Sequence, residues 1–181
     1  MLIVFLLEER SMKELLDSLL PQILPENVLF KTIPHSGKSD LQQSIPKKLK
    51  AWKTPDTKFV IVQDQDSANC VELKNHLLEL ANPAGREVLV RIACRELESW
   101  YFGDLNAVSE AYGKDVRNLA QKRKYRVPDL IGNPKKELQQ LFPKHQQIEG
   151  ARKISRHMVI EKNTSQSFQC FVDGVRKIAR S

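Results

Sequence analysis

Three hydrophobic runs end in paired acids. Leu2–Leu7 stops at Glu8 and Glu9, Phe59–Val62 leads to Asp64 and Asp66, and the run Glu87–Ala93 is followed by Glu96 and Glu98. On a strand, an i, i+2 spacing puts both side chains on one face. Neighbouring carboxylates repel one another unless a proton or a cation lies between them. A hard divalent ion with oxygen ligands fits such a cluster, and Mg²⁺ commonly takes only one or two protein carboxylates. Aspartate also favours turns and helix caps, so one Asp-x-Asp alone is a weak signal; the weight comes from three acidic pairs in a chain of net charge +7. Lys38, Arg91 and Arg95 are the cations available to hold a phosphate, the lysine as a point charge and the arginines as a fork. Together these types could hold a divalent cation, Mg²⁺ or Mn²⁺, beside a phosphate. Two such ions about 3.5–4 Å apart stabilise both the attacking and the leaving oxygen.

For the acids to act together, the elements must bring them to one edge. Leu2–Leu7 reads as a buried strand. A helix is expected from Ser11, with Glu14 three residues on in a capping-box pattern, closing near Pro21 and Pro25. Val28–Ile33 is a second strand, and Ser39 with Gln42 repeats the capping box. The third strand carries Asp64 and Asp66, a helix follows through Leu80, and Glu87–Ala93 is the fourth strand. This β-α-β-α-β-α-β order predicts a mostly parallel sheet with helices on its faces, and a parallel sheet places all three acidic pairs at its C-terminal edge, where open α/β sheets bind ligands.

After Gly103 the composition turns helical, with Leu105–Tyr112, a basic helix to about Lys124, Pro134–Phe142 capped by Asn133, and a last helix near Ser165–Ile178. The expected organisation is an α/β core over 1–103 and a helical extension over 104–181 packed on it, without a clean linker. Trp100 and Tyr101 read first as core and second as a base-stacking pair. His35 reads equally as a turn residue and as a base or ligand.

The totals set the class. A net charge of +7, with basic residues gathered between Lys114 and Lys136, favours a polyanionic partner, nucleic acid first. Cys70, Cys94 and Cys170 have no Cys-x-x-Cys spacing, which argues against a disulfide framework or a zinc site and for a cytoplasmic setting. The opening apolar run is too short for a signal peptide or a membrane span. Gly37-Lys38-Ser39 looks like the end of a P-loop, but position 32 is Thr32 rather than glycine, which excludes a Walker-type nucleotide site.

A hydrophobic strand ending in glutamate, followed by a later strand ending in Asp-x-Asp, resembles the Toprim domain of topoisomerases, bacterial primases and OLD-family nucleases. Leu7–Met12, His35–Leu41, Asp64–Asp66, Arg91–Tyr101 and Gly150–Arg152 together look like a small bacterial family of domains of unknown function, commonly encoded beside an ABC/SMC-like AAA ATPase. The resemblance implies a Rossmann-like Toprim core. It implies Glu8 as general acid/base or ligand, Asp64 and Asp66 as metal ligands, and Glu96 and Glu98 as the later acids completing a second metal site. It also sets Arg152 or Lys153 in the place of a helper cation, and an ATPase as a possible partner. Glu9 stands where many members of the wider superfamily have glycine, which places backbone approach to a phosphate there in doubt.

The expectation is a Mg²⁺-dependent nuclease acting on DNA or RNA. The competing expectation is a non-catalytic Toprim-like module that binds nucleic acid or docks an ATPase. A primase-like enzyme would need a template-holding element, and a topoisomerase a gate domain; the sequence shows neither.

Overall fold

A computed structural model describes all 181 residues. Four parallel strands form one sheet in the order β2-β1-β3-β4: β1 (Leu2–Leu7), β2 (Leu29–Pro34), β3 (Thr57–Asp64) and β4 (Val88–Ala93). Each strand returns through a helix, α1 (Arg10–Ile23), α2 (Lys38–Ala51) and α3 (Cys70–Ala81). Then come α4 (Glu98–Phe102), α5 (Leu105–Tyr112), α6 (Pro134–Leu141), α7 (Gln147–Ser155) and α8 (Gln166–Ile178). No helix is long and apolar enough to cross a membrane.

Strand alternation splits the core in two. Val4, Leu6, Phe59, Ile61, Val90 and Ile92 face α2 and α3, where they meet Leu41, Ile45, Leu49 and Leu77. Ile3, Phe5, Leu7, Val60, Val62 and Ala93 face the other way, into a larger core with Leu15, Leu19, Trp100, Phe168 and Phe171. The helical second half therefore shares its core with the sheet. α7 lies along α1, and α8 crosses β4. The buried ammonium of Lys58, near the start of β3, donates to the Ile178 carbonyl at 3.2 Å and to Ser181 Oγ at 2.7 Å.

Neither capping box forms. α1 starts two residues earlier than the capping-box pattern predicts, with Glu9 rather than Ser11 at its N-cap. The Ser11 hydroxyl donates to the Glu9 carboxylate, and Glu14 turns away to Arg152. α2 starts at Lys38 behind Gly37, whose φ of 100° suits only glycine; Gln42 donates across to Gln63 on β3 instead of capping. The basic helix expected before Lys124 is a pair of 3-10 turns, Arg117–Gln121 and Arg123–Tyr125. That stretch has no continuous apolar stripe, and Pro128 cuts it off. α7 escapes the apolar pattern because Gly150 sits in it; a side chain there would strike His145 and Tyr112.

Gly103, directly after α4, has the same kind of constraint. A Cβ there would overlap the Asn163 side chain and come within 2.9 Å of the Ser165 backbone nitrogen. Asn163 is itself fixed, donating to the Trp100 carbonyl and accepting from the Ser165 N–H. Gly103→Ala is expected to cost about 2 kcal/mol through overpacking, read as a lower urea midpoint with an unchanged m-value.

Candidate functional site

The register puts the ends of β1, β3 and β4 side by side. Leu7 pairs with Val62, and Asp64 with Ala93. Glu8, just past β1, donates its backbone N–H to the Val62 carbonyl, and its carboxylate accepts the Asp64 N–H at 3.0 Å. Burial pushes the Glu8 carboxyl up to about 7, against the bond from Asp64, and the charges of Asp66 and Glu9 push it further the same way.

Asp64 closes β3 with its side chain buried. Its Oδ1 has no hydrogen-bond partner. Burial, then the charges of Glu98 and Glu8, hold its carboxyl well above the usual range. Glu98, at the first position of α4, is 2% exposed, and burial together with the Glu9 charge takes it to about 7. Tyr101 stands three residues on, so it shares a helix face with Glu98. Its hydroxyl is buried without a partner and is pushed up by burial and by Glu98, Glu9 and Asp64. The sequence reads Tyr101 as core, and its ring is buried. The i, i+3 spacing from Glu98 was the available sign that its oxygen reaches the acids.

The remaining acids are engaged. Asp66 adopts φ 52°, its N–H donates to the Arg95 carbonyl at 2.7 Å, and its carboxylate takes the Lys38 ammonium at 2.7 Å. That bond raises the Lys38 pKa. Arg95, also left-handed at φ 63°, donates its N–H to Gln65, so the loops after β3 and β4 interlock. Glu96 accepts the Lys135 backbone N–H at 2.9 Å in the first turn of α6, a favourable place for a carboxylate. His35 lies beside the edge. Its Nδ1 is 2.8 Å from the Leu7 carbonyl, and its buried Nε2 is unpartnered.

Glu8, Asp64, Asp66, Glu98 and Lys38 thus come together, with Glu96 at the margin. Arg91 does not join them. It points from β4 beneath α8, where Nε donates to the Cys170 carbonyl at 2.9 Å and Gly174 leaves room for the guanidinium. An odd position on β4 faces the α8 side, which is why it is drawn away from the edge. Arg152 and Lys153 are also elsewhere. Arg152 clasps Glu14 on α1, and Lys153 pairs with Glu149 on its own helix.

No three His, Cys, Asp or Glu side chains are gathered closely enough to hold a metal ion. Each outer acid has turned to its own donor: Glu8 to an amide, Asp66 to Lys38 and Glu96 to the first turn of α6. The donor set still fits a hard cation. It is all carboxylate oxygen, one of those oxygens is buried and orphaned, and three of the acids are made harder to ionise by burial and by neighbouring carboxylates. Residues 7–176 match one family, described as a domain of unknown function (DUF4276). No curated protein and no solved structure matches the chain.

Proposed function

The chain belongs to the DUF4276 family, and from that premise and its acidic edge we propose that it is a Toprim-like, Mg²⁺- or Mn²⁺-dependent phosphodiesterase acting on nucleic acid. The observation that carries the reading is the buried, partnerless Oδ1 of Asp64 between Glu8 and Glu98. An orphaned polar atom of this kind calls for an explanation, and a cation bound there would provide one.

Asp64, Asp66 and Glu98 would hold the ion, with Glu8 beside them. When bound, it supplies charge stabilisation at the phosphate and a more acidic water. The residues supply the rest. Lys38 leaves Asp66 to hold a phosphate oxygen. Glu8, raised to about 7, is suited to take a proton from the attacking water and return one to the leaving oxygen. Arg95 and Glu96 fix the loops that carry the acids. An ATPase partner belongs to the same proposal.

The Lys38–Asp66 pair favours a second reading, in which the lysine serves as a permanent counter-ion and the fold binds nucleic acid or docks an ATPase without cutting. Calorimetric titration with Mg²⁺ and Mn²⁺ separates the two. The wild type is compared with an Asp64→Ala/Asp66→Ala double mutant, with plasmid and RNA cleavage followed on the same samples. The expected outcome is metal binding and cleavage in the wild type, both lost in the double mutant. No metal binding by the wild type would reject the phosphodiesterase and leave the second reading.

A further inference from the structure

A second surface, outside the acidic edge, is built from the two 3-10 turns, a third at Pro128–Leu130, and the short connection that leads to α6. A cleft of about 630 Å³ opens there, rimmed by Arg123, Lys124 and Arg126 and floored by Val127, Leu130 and Ile131. Leu130 is 73% exposed and Val127 48%, while Tyr125, just before them in the chain, is buried against Phe102. Large apolar side chains held out in water beside three cations are not a solvated charge run of the ordinary kind.

The unpaired charge here is of one sign. Lys124 pairs with Glu137, but Arg123 and Arg126 have no carboxylate partner. Asp129, the acid nearest in sequence, is turned inward, accepting from the Ser165 and Ser167 hydroxyls and the Ser167 N–H at the start of α8. Gly132 and Asn133 then carry the chain from the cleft to the first turn of α6, where the Lys135 N–H meets Glu96. The cleft and the acidic edge are thus joined by a few residues, with Lys135 at the end that meets the acids.

We propose that this cleft binds single-stranded nucleic acid, with phosphates on the arginine rim and an unstacked base on the apolar floor, and that it leads the strand to the acidic edge. The destination rests on the phosphodiesterase reading; the binding does not. A paired helix keeps its bases stacked and offers little to the Val127–Leu130 floor, whereas a single strand offers both a backbone to track and a base face to cover. Electrostatic contacts would dominate affinity and make it fall with salt.

The test is fluorescence anisotropy in EDTA, with a labelled 20-nucleotide oligothymidylate and a duplex of the same length, at several salt concentrations. The wild type should bind the single strand more tightly than the duplex. Arg123→Glu/Arg126→Glu should weaken that binding at least tenfold and flatten the salt dependence by about 1.4 in log–log slope, the loss of two phosphate contacts. Leu130→Asp should weaken it several-fold. Circular dichroism confirms that the variants fold. Absence of wild-type binding, a preference for duplex, or variants that bind like the wild type would each overturn the proposal. Metal-dependent cleavage that persists in such variants would leave the phosphodiesterase standing without this cleft. Single-strand binding with the expected variant losses but no cleavage would keep the cleft and remove the phosphodiesterase.

Discussion

Asp64→Asn is expected to make the metal-free protein more stable and to abolish cleavage. The side chain is buried, its Oδ1 is unpartnered, and Glu98 and Glu8 both oppose its charge. Asparagine keeps the shape and removes the charge, and its amide nitrogen becomes a donor among acceptors. The gain should be about 1–2 kcal/mol, the scale on which an unsatisfied buried polar group costs stability, or roughly 3–6 °C in Tm for a chain of this size. Added Mg²⁺ should raise the wild-type Tm by mass action and leave the variant's unchanged. Cleavage should fall by about 10³-fold, the scale for removing a preorganised electrostatic group. Trading stability for a functional cluster of like charges is a familiar compromise. Thermal unfolding in EDTA and in Mg²⁺, beside a cleavage assay, reads both effects; a less stable variant would show that the carboxylate is satisfied in the fold and serves structure.

Without divalent metal, wild-type stability should fall as pH rises from about 5 to 7.5. Glu8 and Glu98 are both raised from 4.5 to about 7. The folded state therefore binds these protons more tightly than the unfolded chain, and the advantage is lost as pH climbs through the folded values. Glu98, almost fully buried, accounts for most of a loss on the order of 3 kcal/mol; Glu8 is more exposed and adds less. Several groups complicate the absolute curve. Asp64, raised by burial, acts in the same sense. Glu14, Glu137, Glu149 and Glu161, all lowered, act in the opposite sense at more acid pH, and buried His145, with its pKa lowered, does so near and below its usual 6.5. The difference between wild type and Glu98→Gln cancels those that do not act on Glu98. Urea unfolding in EDTA at pH 5, 6, 7 and 8 should show that difference shrinking or reversing toward acid, with the variant ahead at pH 8. A gap that is flat with pH would mean that Glu98 ionises in the fold as easily as in water.

The sheet was legible in the sequence because its strands are continuous apolar runs, and runs of that kind joined by helices leave little freedom of topology. The acidic edge followed from it: once β1, β3 and β4 are parallel, Glu8, Asp64 and Glu98 must meet. Side-chain direction was harder to read. Arg91 is two residues from the end of its strand, yet pleating turns it under α8, and no local pattern shows that Gly174 has left a place for it. Ser11 and Ser39 matched the capping rule, but Glu9 and Gly37 occupy the N-cap positions. Glu96 looked like Glu98, and only the distant α6 decides that it caps a helix instead of facing the other acids.

The division of the core also has a consequence for the order of events during synthesis. The smaller core is complete once the ribosome has released residues through Ala93, because α2, α3 and all four strands lie in that stretch. The larger one needs Phe168, Phe171 and Val175 from α8, and Lys58 waits for the Ile178 carbonyl, 120 positions later. A nascent chain therefore carries a half-covered sheet, with Val60, Val62 and Trp100 open on one side, for most of the time its second half is being made. Such an intermediate exposes apolar surface of the kind that aggregates. It also means that the acids of β1 and β3 are brought together early, while Glu98 and Tyr101 follow with the stretch of chain after β4.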